Sequence, residues 1–253
     1  MNTILSIIIQ IKQNTFKTDN NYIIASYILK NIDLIESKSI QEVAQECYVS
    51  TNTVLRFCQL IGFNTYRRFK SILIATVKNR ESQLKEKNKS IDPNKLLRCL
   101  IKFDQSSFDL DRLKSTLDDL IDEIIKYKVI HLYGATYPLA LAQSFIEDMA
   151  LLKVVVHVHQ VSYSSKKIVS CDDGLHIIIS YSGRFMEANR NHYREITRME
   201  KPAVLISKAT ENLGDIDYLV QMPSTASSHY DDLALMIIYD YILINYYLQI
   251  NHD

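Results

Sequence analysis

Asn52 and Arg56 stand one helical turn apart in the segment SIQEVAQECYVSTNTVLRFCQLIGF, Ser39 to Phe63. An asparagine amide can bond adenine in a bidentate way, and a guanidinium can do the same with guanine. Each such contact discriminates between bases by roughly 1–3 kcal/mol. Thr51 and Thr53 flank them, suited to a thymine methyl or to backbone contacts. Arg56 suits a phosphate as well as a base. Arg67, Arg68 and Lys70 follow, as phosphate contacts beside a groove or as solvated charges.

The pattern around these residues predicts two short helices joined by a tight turn. Ile40, Val43, Ala44 and Cys47 share one face at helical spacing. Tyr48-Val49 breaks that pattern, and Ser50 follows as an N-cap. Val54, Leu55, Cys58, Leu60 and Ile61 give a second apolar face, and Gly62 stops the helix as a left-handed C′ residue. Ala44 permits close approach, Val49 fills the corner and Val54 anchors the second helix. This is the helix-turn-helix pattern, whose second helix enters the major groove of DNA. Tyr48 occupies the turn position where glycine is common, at little cost if the backbone there is not strongly left-handed. Packing or protein contact is the alternative use of such a motif.

A second chemistry is written into two turns further on. Tyr133-Gly134-Ala135-Thr136-Tyr137-Pro138 follows the apolar run VIHLY, and Ser180-Tyr181-Ser182-Gly183-Arg184-Phe185 follows LHIII. Each sets small residues and hydroxyls at the predicted start of a helix, where free amides and the helix dipole suit a phosphate or carboxylate. Gly134, Thr136, Ser180, Ser182, Gly183 and Arg184 are the candidate anion-binding residues. Ordinary turns also use Ser and Gly for backbone reasons. Glu147, Asp148 and His229 are the candidate bases for sugar chemistry, yet their spacing defines no catalytic pair. His157 and His159 alternate on a predicted strand without a third ligand, which is poor support for a metal site. The sequence predicts no catalytic residues, no metal and no cofactor.

The elements that must position these residues fall into two textures. Tyr22–Ile35, the two helices of the motif and a helix carrying Tyr66, Phe69, Ile72, Leu73 and Ala75 behind an Asn64 cap predict an all-helical head over residues 1–77. Lys78–Asp92 is highly charged and reads as a linker or a solvated helix. Helices are predicted over Asn94–Phe103 and Phe108–Lys126. Apolar runs at Val129–Tyr133, Val154–Val158, His176–Ser180, Ala203–Ser207 and Tyr218–Met222 then read as strands. Helical patterns at Pro138–Leu152, Phe185–Glu200 and His229–Ile250 complete a parallel α/β body over residues 93–253.

The chain has 253 residues, 47% of them hydrophobic, and a formal net charge of zero. Residues 1–90 hold 13 Lys+Arg and 7 Asp+Glu; the remainder hold 16 and 22. A basic head on an acidic body fits a nucleic-acid reader whose body avoids nucleic acid. Cys47, Cys58, Cys99 and Cys171 form no C-x-x-C pair and read as small buried hydrophobes. Leu233–Ile250 is apolar, but Asp240 and Asn245 interrupt it, so a core or interface helix is expected rather than a membrane span. No basic region precedes Ile4–Ile9, so no signal peptide is expected. The protein is expected to be soluble and cytoplasmic.

SIQEVAQECYVSTNTVLRFCQLIGFNTYRRFK, with its R-F-C and G-F-x-x-Y-x-x-F-K runs, and DDGLHIIISYSG together resemble the RpiR type of transcriptional regulator, a helix-turn-helix head joined to a sugar isomerase (SIS) domain. The resemblance implies a five-stranded parallel sheet flanked by helices, a double-stranded operator as partner, assembly as a homodimer or homotetramer, and a phosphorylated sugar as effector. It also implies regulation of sugar or amino-sugar genes. A phosphosugar isomerase or lyase, or a DNA-binding dimer with a ligand-free SIS domain, are the alternatives. SIS phosphate loops follow S-x-S-G with an acidic residue and then Thr. Here Arg184 and Phe185 stand there, so one phosphate-binding hydroxyl is missing. Arg184 is either a replacement phosphate partner or a solvated loop residue.

Overall fold

The computed structural model describes residues 3–104, 108–160, 173–211 and 213–251. Cys171 lies outside them. The chain divides into two units, Met1–Glu86 and Lys87–Asp253.

The first unit is helical. It comprises α1 (Thr3–Asn14), α2 (Asn20–Lys30), α3 (Ile40–Glu46), α4 (Thr51–Leu60) and α5 (Tyr66–Ser90), which continues into the second unit. Local sequence fixes most helix starts. Asp19 accepts the amide of Asn21 at 2.6 Å to cap α2. Ser39 and Glu42 form a reciprocal capping box on α3. Ser50 accepts the amide of Thr53 at 3.1 Å to cap α4. The α4 exit is a Schellman motif: Gly62 has φ +101°, its amide donates to Gln59 O, and Phe63 N–H donates to Cys58 O. At α5 the cap shifts by one residue from the expected Asn64, since Thr65 Oγ1 accepts the amide of Arg68. The charged stretch from Lys78 is helical through Ser90, as the C-terminal part of α5.

Val43, Ala44, Cys47, Val54, Phe57 and Cys58 are buried between α3 and α4. Phe69 of α5 meets Phe57, Phe63 and Tyr66, with ring centroids at 6.2, 5.8 and 6.2 Å. Two expected faces are rotated. Phe57 takes the core position on α4 while Leu60 is exposed, and Val77 is buried on α5 while Ile72 and Ala75 face outward. Burial pushes the thiols up, to about 11 for Cys47 and about 12 for Cys58, so both are inert neutral core groups.

The second unit opens with α6 (Pro93–Arg98), a 3-10 turn at Cys99–Lys102 and α7 (Leu110–Tyr127). Five parallel strands follow: β1 (Val129–Gly134), β2 (Val155–Gln160), β3 (Leu175–Ile179), β4 (Ala203–Ser207) and β5 (Tyr218–Gln221). Their order across the sheet is β2-β1-β3-β4-β5. The helices between strands are α8 (Thr136–Leu141), α9 (Gln143–Leu151), α10 (Arg184–Ala188) and α11 (Arg190–Ile196), and α12 (Ser228–Ile250) ends the unit. Each of the two long patterns expected between strands is broken in two, at Ala142 and at Asn189. Every residue of β3 and β4 is buried, as strands covered on both faces must be. This is the five-stranded parallel architecture that the SIS resemblance implies.

α12 packs on α6, α7, α8 and α9. Among the described residues it is the one helix long and apolar enough to cross a membrane, and half of its apolar window is buried inside the unit.

Candidate functional site

The helix-turn-helix presents a polar stripe. Asn52, Arg56 and Gln59 are exposed on α4 at positions i, i+4 and i+7, with Thr51 exposed beside them. The sequence pattern did not single out Gln59, although its amide is of the adenine-reading type. Its spacing from Asn52 was the available signal. Thr53 plays a different part from Thr51. Its hydroxyl lies 2.8 Å from that of Ser50, within the cap itself. The buried opposite face, Val54, Phe57 and Cys58, fixes which way the stripe points.

Arg67 and Arg68 are exposed on the first turn of α5. Lys70, grouped with them in the sequence, does structural work here. Its ammonium donates to the carbonyls of Glu36 at 3.1 Å and Lys38 at 2.9 Å, and Tyr66 Oη donates to the same Lys38 carbonyl at 3.1 Å. These bonds tie α5 to the segment entering α3. Lys38 bonds Glu46 at 2.6 Å; that hydrogen bond is the largest influence on both groups, raising the lysine pKa and lowering the carboxyl.

Tyr48 departs from expectation. Its φ is +55°, in the left-handed region, and the residue is 96% exposed. The turn therefore demands the backbone that glycine supplies without penalty, and tyrosine meets it at a steric cost.

In the second unit, β1 is flanked by β2 on one side and β3 on the other. The chain order reverses there, which makes the carboxyl ends of β1 and β3 a switch point where α/β proteins form ligand crevices. The two turns picked out in the sequence lie at those two strand ends, where Gly134 pairs with Ile179, the residue before Ser180. Several of these groups already serve the fold. A Cβ on Gly134 would come within 3.3 Å of Ile179 O, so its smallness lets β1 and β3 close. Gly183 has φ +79° and starts α10. Ser180 Oγ accepts the amide of Met186 at 3.4 Å, and Arg184 Nε donates to Ser182 Oγ at 3.0 Å. Phe185 packs on the core cluster of Tyr133, Ile178, Tyr193, Ile196 and Leu205.

A clamp unread in the sequence braces this end of the sheet. Ser207 Oγ donates to Ser180 O at 2.7 Å, and Lys208 N–H donates to Tyr181 O at 2.9 Å. The Lys208 ammonium then reaches the buried Asp231 carboxylate at 2.8 Å, which also accepts from Thr225 Oγ1. Tyr137 Oη donates to Asp232 at 3.2 Å, and that carboxylate raises the phenol pKa. No local spacing signals contacts of this span.

Glu147 and Asp148 are buried on α9 rather than on a helix surface, and Gln143 donates to Glu147 at 3.0 Å. His229 is exposed in the first turn of α12, where its amide donates to the Ser227 cap at 3.3 Å. His157 and His159 gain company. In-register pairing sets His157, His131 and His176 side by side, their rings stacked at 5.0 and 5.2 Å. His131 Nε2 lies 2.8 Å from the Asp173 carboxylate, and its Nδ1 lies 2.9 Å from His159 Nε2. Burial would raise the Asp173 carboxyl, but the His131 hydrogen bond and charge carry it below its ordinary value. The rings stack instead of converging. Among the described residues no three His, Cys, Asp or Glu side chains are placed to hold a metal.

A capped, buried-backed α4 bearing an exposed polar stripe defines a helix-turn-helix head on a parallel α/β body. Residues 3–80 match the family model described as the helix-turn-helix domain of the rpiR family; the head is a domain of that family. An uncharacterized HTH-type transcriptional regulator of Haemophilus influenzae is 38% identical over 66 residues. That match covers 25% of this chain and 23% of the relative. Among solved structures, the Vibrio vulnificus NanR protein complexed with ManNAc-6P aligns over 98% of this chain and 92% of its own, at 15% identity and a TM-score of 0.43. A hypothetical protein of Methanococcus jannaschii, inferred to be a 3-hexulose-6-phosphate isomerase, aligns over 55% of this chain and 80% of its own, at 20% identity and a TM-score of 0.46.

Proposed function

We propose that this chain is a transcriptional regulator of sugar or amino-sugar genes that binds a double-stranded operator through α4 and senses a phosphorylated sugar through its α/β body. The observation that carries the reading is the exposed Asn52–Arg56–Gln59 stripe on a helix capped by Ser50 and held by a buried face. Asn52 and Arg56 read bases. Thr51, Arg67 and Arg68 contact the backbone, while Ser50 and Thr53 hold the cap and Lys70 the scaffold. The protein acts in the cytoplasm as a homodimer or homotetramer, which places half-sites one helical turn or a multiple apart. It catalyses no reaction. α12 is a core helix of the body.

A gel-shift series against the chain's own upstream region tests this. The Asn52→Ala, Arg56→Ala variant is expected to lose roughly 2–6 kcal/mol of specific affinity, the sum of two bidentate contacts. Full specific affinity in that variant would sink the recognition-helix assignment.

A second reading is favoured by Phe185, whose ring sits on the core cluster at the position where a phosphate-binding hydroxyl is expected. In it, the S-x-S-G loop no longer binds phosphate. Gain of phosphosugar binding by Phe185→Thr, with none in the wild type, supports this second reading.

A further inference from the structure

Arg190, Arg194 and Arg198 recur every fourth residue along α11 and the turn that ends it, so they share one side. All three line a groove of about 600 Å³ in the second unit. Ser182 and Ala209, which follow β3 and β4, also line it, so the groove opens at the carboxyl ends of these two strands. Glu187, Glu211 and Asp215 contribute carboxylates to the same lining. The three arginines are exposed, and none of their guanidiniums forms an ion pair among the described residues. Like charges at this spacing repel each other along a helix, and no neighbouring carboxylate among the described residues answers them within ion-pair distance.

We propose that this groove is the effector site, with the phosphate of a phosphorylated sugar on the arginine row and sugar hydroxyls on Glu211 and Asp215. The inference rests on the reading that the body senses a phosphosugar, and it moves the anion from the Gly134–Thr136 turn to the arginine row beside Ser182 and Gly183, which line the groove. There Phe185 belongs to the core where a phosphate-binding hydroxyl is expected, while Ser180 Oγ and Ser182 Oγ accept from Met186 N–H and Arg184 Nε and keep their own protons to donate. Guanidiniums are planar forks that match phosphate oxygens in pairs. Carboxylates accept hydrogen bonds from sugar hydroxyls. A groove lined by both fits a ligand with an anionic end and a hydroxyl-rich end better than it fits inorganic phosphate.

Calorimetry and thermal shift on the full chain test this, with inorganic phosphate, fructose 6-phosphate, glucosamine 6-phosphate and unphosphorylated glucosamine as probes. At least one phosphosugar is expected to bind tenfold or more tightly than inorganic phosphate. Arg194→Ala, Arg198→Ala is expected to weaken it at least tenfold, and the double lysine variant less. Glu211→Gln, Asp215→Asn is expected to erase the preference for phosphosugar over phosphate. Thr136→Ala is expected to leave affinity unchanged. Because the arginines are exposed, the melting temperature without ligand serves as a folding check. Wild-type phosphosugar affinity in the arginine variant, or a loss seen only in Thr136→Ala, overturns the site and leaves phosphosugar sensing intact. Operator binding without any phosphosugar binding overturns both the site and the sensing half of the proposed function.

Discussion

Tyr48 takes a backbone conformation that a tyrosine pays to adopt, and the residue is 96% exposed. A left-handed non-glycine residue costs roughly 1–2 kcal/mol, of which glycine would return part through its looser unfolded chain. Tyr48→Gly is therefore expected to stabilise the head by about 1 kcal/mol in urea unfolding. A neutral or destabilising result would mean that the ring makes contacts worth more than the strain. The sequence revealed the unusual residue but not the sign of its φ, because neighbouring types constrain a turn without dictating it. Ser50 and Gly62 were legible for the opposite reason: caps act over three or four residues. The carbonyl bonds of Lys70 and the Lys208–Asp231 pair join residues more than twenty positions apart, and no short-range pattern reports them.

Within the elements, Phe69 shows how α5 is locked to the motif. It is 1% exposed and touches three aromatic rings, two of them edge-on. Phe69→Ala is expected to cost about 3–5 kcal/mol, measurable by chemical unfolding of the full chain. A loss below about 1 kcal/mol would show that the head does not depend on α5. Helix existence was plain from periodicity, but the centre of each buried face was not. On α4 the face centres on Phe57, between Val54 and Cys58, so Leu60 rotates out. The strands were easier, since a parallel strand covered on both sides reads as an unbroken apolar run. The breaks at Ala142 and Asn189 were hidden inside continuous helical patterns. At Asn189 the side chain donates to Phe185 O at 3.0 Å, competing with the helix it ends.

At the scale of the whole molecule, the excess of basic residues lies in the first 90 positions and the excess of acidic residues in the rest. On the proposed function, phosphate contacts by the head would release counterions, so the logarithm of operator affinity is expected to fall linearly with the logarithm of salt. Replacing Arg67 or Arg68 by alanine is expected to lower that slope by about 1 for each phosphate that is no longer neutralised, while Asn52→Ala changes specificity and leaves the slope alone. Fluorescence anisotropy between roughly 50 and 200 mM salt reads both effects. An unchanged slope in the Arg67→Ala, Arg68→Ala variant would remove those residues from the interface.

The strand order β2-β1-β3-β4-β5 also dictates a timetable. The head is complete by Glu86, but Val129 must wait for Val155, and Ile130 for Leu175, before the centre of the sheet can exist. Pairing across such sequence distances is slow, and chains are made from the N-terminus onward. A nascent chain therefore carries a finished reading head while its body is still unmade. On the proposed function, products of interrupted translation would be helical heads without the α/β body, deaf to any signal.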